Sequence, residues 1–449
     1  MEVQIETRKL IKPSTPTPTH LRELKLSCFD QIAPTTHVSF ILFFPAPVNG
    51  QTLQKLETSL SQVLTKLYPF AGRLVEDRNA IDCDDQGVEY LEARVCNAEM
   101  NQFIMDEIEA KSVNRLAPYP NELEFTTNIL AVQVNKFNCG GLAIGVSLSH
   151  KFADAFTVFM FVNAWATCCR LGVDAVKCFS FETGSVLPAA AFRVKHKVPV
   201  PEDKSETLVT KRFIFSSSAL STLKAKLAPL VSDSSGLSRA QILIALIWKA
   251  RIALAKTKNG SSRDSLQIFP FNFRGRTGLP IPTNGAGNLF MNVTVCCIAN
   301  RDIHLDLLLH LVNLVGNGIR NAVEAFARAE TAEDLLSLAT DSSRVIHGEL
   351  VKGDTDICLL TSWCRFPYYE ADFSWGKPVW IASAHKATEM VLLLDAGGFD
   401  VGGIEAWVTL EPDNMARFEQ DPDILAYGSK PSEFFTRVNS NQFQRTQAN

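Results

Sequence analysis

His150 and Asp154, the ends of His150-Lys151-Phe152-Ala153-Asp154, have the types and spacing of a general base with a carboxylate nearby. A neutral imidazole, with an unperturbed pKa of about 6.5, can take the proton of a hydroxyl as that oxygen attacks a carbonyl carbon. On a helix the two side chains would share a face, as a triad-like His–Asp pair requires. Residues 148–154 read instead as a strand-to-helix turn, where a carboxylate caps the following helix or pairs with an arginine. His20, His37, His196, His304, His310, His347 and His385 lack a comparable setting, and structural or solvent roles are expected for them. Ser147 and Ser149 flank His150 without a Gly-x-Ser-x-Gly elbow, which argues against a serine nucleophile. Asn284-Gly285-Ala286-Gly287-Asn288 is a turn-like run and weak support for a dinucleotide site. Asp82, Asp84 and Asp85 lack the remaining ligands of a calcium loop.

These residues must be positioned by larger elements. Before His150, the apolar Leu142, Ile144, Val146 and Leu148 alternate with Ala143, Gly145 and Ser147, the period of a strand, and His150 shares the apolar parity. After it, residues 156–162 are apolar on all sides and read as a buried helix beneath the site. Leu56, Leu60, Val63, Leu64 and Leu67 predict a helix that Pro69 and Gly72 end, and Ser238 is placed to cap a helix over 240–255. Residues 305–315 predict a further helix. Strand-like runs fall at 38–44, 129–134, 211–215, 266–271, 291–298, 379–381, 391–394 and 404–410. Residues 183–208 show no sustained periodicity and carry Pro188, Pro199 and Pro201, so they read as a crossover linker. It separates an N-terminal lobe, 1–182, from a C-terminal lobe, 209–449. The expected class is α/β, two similar-sized mixed-sheet lobes with a cleft between them.

Composition narrows the function. The chain has 449 residues, enough for two cores, with 46% hydrophobic and 20% charged residues. A net charge of −4 makes nucleic acid a poor partner. The N-terminus resembles no signal peptide, and no apolar run reaches the roughly 20 residues of a membrane span. Eleven cysteines show no CxxC pair and no zinc-like spacing. A reduced cytoplasmic protein without a metal is expected, with Cys168-Cys169 and Cys296-Cys297 as small core residues.

The pentapeptide at 150–154, followed by Asp372-Phe373-Ser374-Trp375-Gly376, resembles the HxxxD and DFGWG motifs of the BAHD family of plant acyl-CoA-dependent acyltransferases. Leu26-Ser27-Cys28-Phe29-Asp30, Leu67-Tyr68-Pro69-Phe70-Ala71-Gly72-Arg73, Asn272-Phe273-Arg274, Gly287-Asn288 and Thr361-Ser362-Trp363 resemble further signatures in family order. Other segments are most similar to the branch containing vinorine synthase and salutaridinol acetyltransferase. The resemblance implies a chloramphenicol acetyltransferase-like fold with a tunnel between the lobes, a monomer, and acyl-CoA, with acetyl-CoA favoured, as co-substrate rather than bound cofactor. It implies that His150 deprotonates the hydroxyl of a small-molecule alcohol, of alkaloid or terpenoid type, for direct transfer in a ternary complex. Asp154 is then structural and paired with Arg274, Asp372 shapes the cleft, Trp375 offers an oxyanion donor, and Ser238, Arg239 and Ser362 contact CoA. N-acylation of an amine and a non-catalytic binding role are the alternatives. Two residues depart from the family pattern: Ala155, where many members have glycine, and Ser374, in place of the middle glycine of DFGWG. Ser374 is costly if its φ is positive.

Overall fold

The computed structural model describes residues 1–45, 49–106, 110–119, 126–177, 179–189, 207–231, 236–299, 306–384 and 388–437. Two six-stranded mixed sheets form its frame. The spatial order of the first is Glu2–Ile11, Val88–Cys96, Leu130–Phe137, Leu142–Ser149, His37–Phe44 and Trp380–Ala384. The second runs Phe290–Cys297, Ser265–Asn272, Asp356–Ser362, Val391–Asp395, Ile404–Leu410 and Val209–Phe215. A three-stranded sheet, Glu23–Lys25, Ala80–Asp82 and Arg73–Val75, stands apart.

The strand before His150 is central, paired antiparallel with His37–Phe44 on one side and Leu130–Phe137 on the other. All eight of its residues are buried, so both faces are covered. The small residues on one face permit close backbone approach: a Cβ on Gly145 would lie 2.1 Å from the Leu116 carbonyl oxygen. The strand gives way at His150 to a turn, and the helix Ala155–Leu171 follows, capped by Asp154, whose side chain accepts from Thr157 N–H. Ala155 is the first helical residue, so a side chain there costs little. Trp165 fixes this helix against Gly50–Lys66, its Nε1–H donating to Leu56 O at 3.2 Å and Ser59 Oγ at 3.1 Å.

In the second half, Ser238 caps Arg239–Asn259 as expected, accepting from Gln241 N–H. This helix buries Ile242–Trp248 against its own sheet and the helix Leu307–Arg328. The expectation of two contiguous lobes needs correction at one strand. Trp380–Ala384, deep in the second half, pairs with His37–Phe44 and completes the first sheet. The expected linker also contains a short helix, Thr183–Val186, while its residues 190–206, with His196, lie outside the described residues, as do His304 and His385. Among the described residues no helix is long and apolar enough to cross a membrane.

Candidate active site

His150 sits where the two halves meet. Its backbone N–H donates to Thr36 O at 2.8 Å, continuing the strand pairing by one residue and holding the imidazole at the end of this central strand. The residue is partly exposed, and its ring lies 5.9 Å from the Phe290 ring of the second sheet. Its Nδ1 is 3.0 Å from Asn288 Oδ1. The orientation of that amide follows from its other contacts, because Asn288 Nδ2 is 2.6 Å from His150 O and 2.8 Å from Asp30 Oδ1. Both are acceptors, so the nitrogen must face them and the oxygen must face the ring. His150 Nδ1 therefore carries the hydrogen and Nε2 the basic lone pair. Burial pushes the imidazole pKa below its usual 6.5, against the opposing pull of Asp154 and Asn288. The ring is a neutral base at neutral pH.

Asp154 turns away from His150. Its Oδ2 accepts from Arg274 Nη1 at 2.6 Å and Leu289 N–H at 3.1 Å, and its Oδ1 from Arg274 Nη2 at 3.1 Å and from Thr157 N–H and Oγ1–H, both at 2.9 Å. Both partners of the ion pair are buried. Burial raises the Asp154 carboxyl, but Arg274 and the backbone donors outweigh it and hold the group below its usual value. Arg274 also donates to the carbonyls of Gly285 and Gly287 and stacks over Phe156 at 4.7 Å. The pair thus ties the start of the helix under His150 to the segment that carries Asn288. Asn288 is the residue that sequence reasoning missed as a site residue. It stands in a glycine-rich turn with no periodic signal, 138 positions from the histidine it orients.

The DFSWG turn lies elsewhere. Asp372 pairs with Arg170 at 3.3 Å and accepts from Ser374 and Gly376 N–H. Arg170 is 16 positions beyond Asp154 on one helix, so this turn is about 24 Å from the start of the helix at about 1.5 Å per residue. The Trp375 indole stacks on Phe373 at 5.6 Å and lies edge-on to Phe44 at 6.3 Å. Phe44 pairs with Leu142 while His37 pairs with Ser149, so Trp375 is beside the opposite end of the strand from His150. Trp375 is therefore not placed to donate to an oxyanion at His150, and that expectation is corrected. Ser374 has φ +90°, the strained case anticipated for it, and its Oγ accepts from Lys55 Nζ at 2.6 Å. Both departures from the family pattern leave the His150 geometry untouched.

Ser238, Arg239 and Ser362 gather at one end of the second sheet. Ser362 closes Asp356–Ser362 beside Val391–Asp395, and Arg239 acts electrostatically on Asp395 and Cys364 there. The Arg239 guanidinium donates to Gly402 O, and Ser362 Oγ accepts from Cys364 N–H at 3.4 Å. Next to Ser362, the Trp363 ring is 5.4 Å from Phe159 on the helix under His150, so this end of the sheet abuts the histidine's half. Ser147 is buried and bonded to Ser39 Oγ at 2.7 Å, unavailable as a nucleophile. Cys168, Cys169 and Cys297 are buried thiols, whereas Cys296 faces outward from its strand, against expectation. Among the described residues no group of three or more His, Cys, Asp or Glu could hold a metal.

Residues 1–425 match the model of the Transferase family. Acetyl-CoA-benzylalcohol acetyltransferase of Clarkia breweri is 32% identical over 444 residues, covering 96% of this chain and all of the relative. Vinorine synthase of Rauvolfia serpentina is 34% identical over 438 residues, covering 91% of this chain and 94% of the relative. The crystal structure of vinorine synthase superimposes with a TM-score of 0.79 over 96% of this chain and all of that one. The structure of F. sporotrichioides TRI101 complexed with coenzyme A and T-2 shares the fold, with a TM-score of 0.67 at 16% identity, covering 91% of this chain and 99% of that one.

Proposed function

The chain belongs to the Transferase family, the BAHD acyltransferases, and from that membership and the site geometry we propose how it works and on what. It is an acyl-CoA-dependent O-acyltransferase acting on a small molecule, the class shared by its plant relatives. The finer reading is transfer of an acetyl group from acetyl-CoA to the hydroxyl of an alkaloid- or terpenoid-like alcohol. Names among the relatives support it: vinorine synthase, stemmadenine O-acetyltransferase and the limonoid acetyltransferases.

One observation carries the mechanism: Asn288 Oδ1 occupies His150 Nδ1, which leaves Nε2 as the base between the halves. Nε2 removes the proton of the acceptor hydroxyl while its oxygen forms a bond to the thioester carbonyl carbon. The tetrahedral oxyanion then collapses, the C–S bond breaks, and the CoA thiolate recovers the proton from the imidazolium. The products are an ester and free CoA, with no acyl-enzyme. Ser238, Arg239 and Ser362 are assigned to CoA. Arg239 and the N-terminus of its 21-residue helix suit the anionic phosphates.

Thiol release from acetyl-CoA with panels of alcohols and amines tests the reading. Turnover should follow the alcohols, and His150→Ala should lower it by about 10²- to 10⁴-fold, the usual contribution of a general base. Full turnover in that variant would remove His150 from the chemistry, and turnover confined to amines would move the acceptor class.

A further inference from the structure

Asn288 holds His150 in one tautomer only while its own amide is held, and that amide nitrogen has two acceptors, the His150 carbonyl and the Asp30 side chain. Asp30 is 2% exposed and lies in the first turn of the short helix Cys28–Ile32. Its Oδ2 accepts from Ser27 N–H at 2.9 Å and Ser27 Oγ at 2.7 Å. Its Oδ1 accepts from both N–H groups of Asn288, backbone and side chain, each at 2.8 Å. The Ser27 N–H contact and the reciprocal one, Asp30 N–H donating to Ser27 Oγ at 3.1 Å, form a capping box, which accounts for half of the residue. Capping does not require the second oxygen to be buried, nor to be aimed at an amide from the other half of the molecule. Four neutral donors compensate the charge, and burial pushes the carboxyl up to about 6, so it is still largely ionised at neutral pH. Gly287 completes the fit: at φ +126°, a Cβ there would come to 3.4 Å from both Asp30 oxygens.

We propose that Asp30 is a positioning residue for proton transfer: by accepting from both N–H groups of Asn288 it fixes which end of that amide faces His150, and so sets the imidazole as the Nδ1–H, Nε2-base tautomer. The inference rests on His150 acting as the general base. An acceptor on both oxygens is essential to it, and only the carboxylate supplies one. In Asp30→Asn, an amide oxygen turned to Asn288 leaves an NH₂ against Ser27 N–H. Turned the other way, it presents a donor to Asn288 Nδ2, which leaves the His150 carbonyl alone to hold that nitrogen, so the Asn288 amide can rotate and offer its nitrogen to the ring. His150 then carries its hydrogen on Nε2 and cannot accept the substrate proton.

The test uses full-length protein labelled with 15N-histidine, the His150 resonances being assigned by their loss in His150→Gln. The wild type should show a protonated Nδ1 and an unprotonated Nε2 at neutral pH. Asp30→Asn should show mixed or inverted tautomers and a kcat lower by about 10²- to 10⁴-fold, with KM for acyl-CoA unchanged. Asp30→Ser, whose hydroxyl can still meet Ser27 but does not span to Asn288, should behave alike and serves if the amide variant does not fold. A wild-type Nε2–H tautomer overturns the proposal, as do wild-type tautomer and kcat in whichever of these variants folds. His150→Ala separates the two readings: if it keeps turnover the base assignment fails, whereas an inactive His150→Ala beside an Asp30→Asn of unchanged kcat and tautomer sinks the positioning role alone.

Discussion

His150 and Asp154 look alike in sequence as partners, yet their surroundings drive them to different work. Burial lowers the imidazole pKa, and the form able to act as the proposed base is the neutral one. Activity should therefore be fully present above the lowered pKa and lost as pH falls through it. Initial rates across pH should show an acid limb in kcat/KM below pH 6.5, and a His150-dependent limb above pH 7 would contradict the assignment. Asp154 shifts because Arg274 and backbone N–H groups outweigh its burial. Its pKa is below the usual 3.8, so the stability it contributes is present above about pH 4 and lost as pH falls further. Asp154→Ala leaves Arg274 buried and uncompensated, which costs about 3–5 kcal/mol. Urea unfolding should show that loss, and Asp154→Ala with wild-type stability would mean that the pair does not anchor the helix. His150 was legible because its parity continues an alternating strand. Asn288 and Asp30 fall in segments that resemble family signatures, but their roles were not legible, because a hydrogen-bond relay between residues 138 and 258 positions apart leaves no local pattern.

Elements were legible where amphipathicity or capping is local. Ser238 and the apolar run after it mark the start of Arg239–Asn259, and alternation marks Leu142–Ser149. Asp356–Ser362 escaped because its apolar residues Ile357, Cys358, Leu359 and Leu360 are consecutive rather than alternating, and Glu2–Ile11 because an exposed edge strand is mostly polar. The DFSWG turn shows a third limit: its residues are recognisable, but nothing in them says which end of Ala155–Leu171 they meet. The tertiary answer, beside Arg170 and Lys55, turns Trp375 from an oxyanion donor into packing for Phe44 and Phe373. It also makes Ser374 a matter of stability. Its φ of +90° costs about 1 kcal/mol relative to glycine, and its bond to Lys55 is exposed and offsets only part of this. Ser374→Gly should raise the thermal midpoint and leave kcat unchanged, because the turn is a helix length from His150. A fall in stability would show that the Lys55 contact outweighs the backbone strain.

The whole molecule depends on two halves meeting in one register, since His150 comes from the first and Asn288 and Arg274 from the second. Trp380–Ala384 crosses back into the first sheet, and a buried ion pair secures that crossing. Arg212 and Glu405, on paired strands of the second sheet, approach to 2.8 Å with side chains 2% and 4% exposed. The guanidinium lies 4.2 Å over the Trp380 ring and donates to Ile104 O in the first half. Glu405 accepts in turn from Trp380 and Trp407 Nε1–H. Chain distance hides this arrangement, because 193 residues separate the partners and neither is unusual in its own strand. A buried ion pair is weak evidence of net stabilisation, but removing one partner strands the other charge and costs about 3–5 kcal/mol. Arg212→Met should therefore lower the urea midpoint. Because it loosens the contact between halves rather than the histidine itself, kcat/KM should fall at temperatures where the protein is still folded. The double variant Arg212→Met/Glu405→Gln removes both charges while leaving an acceptor for the tryptophans, so it should recover part of the stability and of kcat/KM together. If the double variant regains stability without activity, the pair supports the fold but does not set how the halves meet at His150.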